Sequence, residues 1–103
     1  MKDVYEPKGS YNMYGTYLVG LEAGKLFTLT HPYGIATENH IDKKPPIYMV
    51  LAPEAETKTV LIYNTESMET ESVHESSQIF PFTPDKEDEN YKELLGLTIP
   101  FTL

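Results

Sequence analysis

The chain has 103 residues, 40% of them apolar and 23% charged, which suits one packed domain and is too short for two. Sixteen acids against eight Lys leave a formal net charge of −8, which argues against binding duplex nucleic acid or docking on an anionic membrane. With no Cys, disulfides, thiolate metal sites and Cys nucleophiles are excluded, and with no Arg so are bidentate grips on phosphate or carboxylate.

Residues 1–13 read as an irregular arm, because Pro7, Gly9, Ser10 and Asn12 break any helix. Tyr5, Tyr11 and Met13 are apolar for a tail and are expected either to fold back on the core or to dock on another chain. The first seven residues lack the apolar stretch of a secretory signal, and the run from Ile47 to Ala52 is far short of the ~20 residues that cross a bilayer. A soluble, cytoplasmic protein is the expectation, and the missing Cys suits a reducing compartment.

Tyr14 to Glu22 alternates, with Tyr17, Val19 and Leu21 on one side, and Lys25 to His31 alternates in turn. Glu22-Ala23-Gly24 between them predicts a tight hairpin that pairs Leu21 with Lys25, Val19 with Phe27, and Tyr17 with Leu29. His31-Pro32-Tyr33-Gly34 reads as a turn, Ile35 to Glu38 as a short strand, and Asn39 to Pro46 as a polar loop. Ile47 to Ala52 is apolar on both faces and predicts a central strand, which Pro53 to Glu56 turns back into Thr57 to Tyr63. After a turn at Asn64 to Ser67, Met68 to Phe80 has no apolar face and reads as an edge strand or a ribbon leaving the sheet. Thr83-Pro84-Asp85 predicts the opening of a helix over 84–95, with Tyr91, Leu94 and Leu95 as its apolar face and Gly96 as its stop. Leu97, Ile99, Phe101 and Leu103 alternate as a terminal extended segment over 97–103 would.

The expected fold is mainly β, a β-rich α+β single domain over 1–103 with an antiparallel meander across 14–80. A curled antiparallel sheet or small partly open barrel of about five to seven strands, with one short C-terminal helix, accommodates so small a core.

Few residues are spaced for catalysis. His31, His40 and His74 lack metal-ligand spacing, although His31, Glu38 and His40 could converge at one end of the sheet. No G-x-S-x-G is present, and the serines fall in the arm, turns and acidic ribbon rather than on a strained elbow. No acid sits in an apolar setting that would split a catalytic carboxylate pair. Tyr14-Gly15-Thr16-Tyr17-Leu18 resembles the opening of γ-glutamylcyclotransferase-like proteins over five residues. The arginine-bearing continuation of those proteins is missing, so nothing functional is carried over.

Charge and tyrosine are the distinctive features. Residues 1–50 carry five acids and five Lys, whereas residues 51–103 carry eleven acids and three Lys and so account for the whole −8. Eight Tyr in so short a chain supply large rigid contact area with one polar tip each. These features predict a non-enzymatic acidic binding protein, an inhibitor or adaptor that meets a protein partner with a basic surface. Tyr5, Tyr11, Tyr14, Glu66, Glu69, Glu71 and Glu75 are its contact candidates. Mimicry of phosphates by spaced carboxylates, as in small acidic inhibitors from phage and mobile elements, is one version of this expectation. Self-association across a two-fold axis is another. The alternative is a barrel that binds a small molecule or nucleotide, lined by Tyr17, Phe27, Tyr48 and Tyr63. A small His/carboxylate enzyme is the weakest reading. No cofactor and no metal are expected.

Overall fold

The run that is apolar on both faces lies at the heart of the sheet. In a computed structural model describing residues 8–31 and 45–101, Tyr48–Glu54 forms a strand whose first four residues are buried. Numbered along the chain, the strands are β1 (Gly9–Tyr11), β2 (Thr16–Tyr17), β3 (Leu26–Thr28), β4 (Tyr48–Glu54), β5 (Thr59–Asn64), β6 (Glu69–His74) and β7 (Gln78–Pro84). A single helix, α1 (Glu89–Leu95), follows, and 3₁₀ turns cover Leu18–Gly20 and Gly96–Phe101.

All the pairings are antiparallel, in the order β1-β7-β3-β4-β5-β6, with β2 also on β7. The sheet curls, and each face has its own core. Leu18, Phe27, Tyr48, Val50, Val60, Ile62 and Ile79 fill one side, the Phe27 face. Leu26, Ile47, Met49, Leu51 and Phe82 form the core of the other, the helix-bearing face, against which Tyr91 and Leu94 of α1 pack. A register shift between Val50 and Ala52 places Leu51 and Ala52 on the same side, which bends β4 and helps the sheet to roll. The expected curled antiparallel sheet with one short helix is therefore the observed fold.

The hairpin expected between 14–22 and 25–31 does not form. Its turn is present: the Lys25 N–H donates to the Glu22 carbonyl at 3.2 Å, and Gly24 takes φ +91°. The flanking segments instead find separate partners. β2 pairs with Gln78 and Ile79, while β3 lies between β4 and β7. The reason is burial. Leu18 is the side chain that reaches the core of the Phe27 face, which turns Tyr17 and Val19, the expected apolar face, to solvent.

β7 is the strand least visible in the sequence, since Gln78-Ile79-Phe80-Pro81-Phe82-Thr83-Pro84 contains two prolines. Pro81 is tolerated because it lies opposite the break between β1 and β2, where its carbonyl accepts from the Asn12 N–H at 3.0 Å and no ladder donor is needed. Pro84 consequently ends a strand rather than opening a helix. The helix begins at Glu89, capped by Asp88, whose carboxylate accepts from the Asn90 and Tyr91 N–H groups at 3.1 and 3.2 Å. Gly96 keeps right-handed angles, so the chain tightens into a 3₁₀ turn in place of the expected extended segment. Part of the expected arm is a strand as well, since β1 pairs Gly9, Ser10 and Tyr11 with Pro84, Thr83 and Phe82. The strand expected at Ile35 to Glu38 lies outside the described residues.

Candidate functional site

β6 and β7 are one ribbon that changes sides at Glu75-Ser76-Ser77. Among the described residues β6 borders β5 alone, whereas β7 runs between β3 and the β1–β2 edge. The 3₁₀ turn after β2 seals this bend: the Leu18 N–H donates to Ser77 O and the Val19 N–H to Glu75 O, each at 2.9 Å. His74 fastens it from inside, with Nδ1 accepting the Ser76 N–H at 3.1 Å and lying 2.7 Å from Ser76 Oγ. That Ser–His contact spans two residues of an exposed turn and is accounted for as a turn lock.

Four large apolar side chains stand in solvent beside this bend. Met13 is 53% exposed, Tyr14 79%, Tyr17 61% and Val19 60%. Their backbone is held in place, since β2 is laddered to β7, the Tyr14 N–H donates to Asn12 Oδ1 at 2.8 Å, and Leu18 is buried. An apolar row held outward on a fixed backbone is a contact surface in waiting.

The acids of β6 run away from the same bend. Register places Val73 opposite Val60, Glu71 opposite Ile62 and Glu69 opposite Asn64. Val60 and Ile62 belong to the core of the Phe27 face, so Glu69 and Glu71 share that face at its β6 rim. The Glu71 charge is felt within the core. Burial is the largest cause pushing the Tyr48 hydroxyl above its usual pKa, and the Glu71 charge adds to it. Asn64 Nδ2, donating to Tyr48 Oη at 3.4 Å, acts the other way, and Glu66 raises the pKa a little further. Glu66 belongs to the β5–β6 turn, where its N–H and that of Ser67 donate to Asn64 Oδ1 at 2.8 and 3.1 Å. Glu75 is half-buried in the bend.

Of the expected contact residues, the structure groups Glu69 and Glu71 on one rim, with Glu66 at one end and Glu75 at the other, and places Tyr14 in the apolar row. Tyr11 is not in that row: its ring is half-buried, edge-on to Phe82 with centroids 4.9 Å apart. Tyr5 lies outside the described residues. The four aromatics of the alternative reading do not converge. Phe27 and Tyr48 stack at 5.7 Å in one core, Tyr63 packs on the opposite, helix-bearing face, and Tyr17 is exposed. Val19 escaped the sequence expectation because alternation alone cannot tell which of two faces is buried.

Among the described residues, no group of three His, Asp or Glu side chains is disposed to hold a metal ion, and no helix is long and apolar enough to cross a membrane. His31 rests edge-on against Phe80 at 5.3 Å. Comparison with protein-family models, with curated proteins and with solved structures finds no match.

Proposed function

We propose that this chain is a non-enzymatic contact protein, an inhibitor or adaptor whose partner presents a basic surface with an apolar centre. The observation that carries this reading is the exposed row Met13, Tyr14, Tyr17 and Val19, on a backbone hydrogen-bonded to β7 and to the bend that follows the acidic strand β6. Apolar and aromatic side chains supply binding energy when water is expelled from them. The neighbouring carboxylates select the partner's charge and speed its approach. Spaced carboxylates at a rim also serve the phosphate-mimicking version of this function. A cysteine-free chain suits the reducing cytoplasm.

The test uses the immobilised chain, cell extract, and a Tyr14→Ser/Tyr17→Ser variant whose circular dichroism matches wild type. A protein retained by wild type and lost from the variant is expected. Its retention should weaken as ionic strength rises, because exposed charge pairs are screened. Equal retention by the two proteins at every ionic strength overturns the reading.

A further inference from the structure

The backbone of β6 adds an element that its side chains alone do not show. The Glu75 N–H donates to Lys58 O at 2.9 Å, which fixes the phase of the β5–β6 ladder. Bonded and non-bonded pairs alternate in an antiparallel ladder, so Glu69, Glu71 and Val73 direct their N–H and C=O groups toward β5. Thr70, Ser72 and His74 direct theirs outward. The His74 carbonyl is taken by the Ser77 N–H at 3.0 Å. Among the described residues no strand lies beyond β6, so the outward N–H groups of Thr70, Ser72 and His74 and the carbonyls of Thr70 and Ser72 form an open edge. No Pro, Lys or register shift protects it, and Thr70, Ser72 and His74 are exposed. Its acids are what deter unwanted pairing, since two such edges laid antiparallel would set like charges against each other.

Resting on the contact reading above, we propose that the partner docks by strand addition: an extended cationic segment pairs antiparallel with β6. Charge and register define its pattern. The residues facing Val73, Glu71 and Glu69 share the Phe27 face, at the non-bonded positions where side chains approach most closely. Read along the incoming strand, these are an apolar residue, then Lys or Arg, then Lys or Arg, each separated by one residue. The intervening residues face Ser72 and Thr70 and are small and polar or β-branched. A second copy of this chain is disfavoured by its own charge, which commits the edge to a basic partner.

The probe is a capped peptide with the core Val-Thr-Lys-Thr-Lys, added to the full-length chain. Binding is expected to slow hydrogen exchange of the Thr70 and Ser72 amides by about tenfold or more. N-methylating the two core Thr of the peptide keeps its charge but removes the donors to Ser72 O and Thr70 O, and should weaken binding by about tenfold or more. A Glu69→Lys/Glu71→Lys variant changes only exposed side chains and should prefer the core Val-Thr-Glu-Thr-Glu. Equal binding of the N-methylated peptide, or unchanged exchange at Thr70 and Ser72, overturns strand addition and leaves the contact reading to the capture experiment. Failure of the unmodified peptide to bind also overturns it, again without deciding whether the apolar row docks a partner.

Discussion

The Tyr91 hydroxyl donates to the Gly24 carbonyl at 2.8 Å, joining α1 to a turn 67 residues earlier in the chain. The same glycine has φ +91°, and a Cβ there would come within 2.8 Å of Leu95 Cδ2. Gly24→Ala is therefore expected to destabilise by about 1 kcal/mol or more through backbone strain alone. Tyr91→Phe should cost about 1 kcal/mol for the lost hydrogen bond. Urea unfolding of the two single variants and the double variant checks both figures and should show coupling, because the sites are in contact.

Leu18 and Val19 are neighbours with opposite fates. Leu18 is fully buried in the core of the Phe27 face, so Leu18→Ala is expected to cost about 2–5 kcal/mol. Val19→Ser should stay within about 0.5 kcal/mol of wild type, as surface substitutions do. A hairpin with Val19 facing inward would reverse the ranking, so thermal or urea melts of the pair decide between the two registers.

Asp88 joins the start of α1 to the residue that precedes β1. Its buried carboxylate caps α1 and also accepts the Lys8 N–H at 3.4 Å, while the Asp85 N–H donates to Lys8 O at 2.7 Å. Asp88→Ala is expected to cost about 1–2 kcal/mol as a lost cap. It should also speed amide exchange in β1. Amides that exchange no faster than in wild type would show that the Lys8 contact does not hold that strand.

Tyr48 and Tyr91 both have pKa values raised above the ordinary 10.0 by burial, Tyr48 with help from Glu71. A phenol whose folded pKa exceeds its unfolded one contributes stability that is whole below about pH 10 and is lost as pH rises through the folded value. Urea midpoints should therefore fall above pH 10, and Tyr48→Phe should make that fall shallower. At the acid end, hydrogen bonds from Ser72 Oγ and Thr59 Oγ1, each 2.8 Å, lower the Glu54 pKa below 4.5. That contribution is present above pH 4.5 and disappears as pH falls through the folded value, and Glu54→Gln should remove it.

Much of the architecture was legible because burial and period coincide in a single segment. Ile47 to Ala52 announces a covered strand, Thr57 to Tyr63 its return, and the first part of the stretch from Met68 to Phe80 an edge, although Gln78 to Phe80 belongs to β7 inside the sheet. The Gly24 turn was legible too, since it needs a left-handed residue and glycine supplies one. The helix was found, but its start was misplaced by five residues. Thr83-Pro84 and Asp88 both carry opening signals, and only pairing with β1 shows that the first pair is spent on a strand.

Composition, the acidic second half, the β-rich character and the lone helix are therefore properties of the sequence by itself, set by which residues must leave water and which must stay in it. The tertiary structure decided what faces what. Local alternation is symmetric between two faces, and only long-range pairing breaks that symmetry. It sent Leu18 inward and Tyr17 and Val19 outward, set the prolines of β7 between β1 and β3, and left Thr70 and Ser72 on an edge that no other described strand covers.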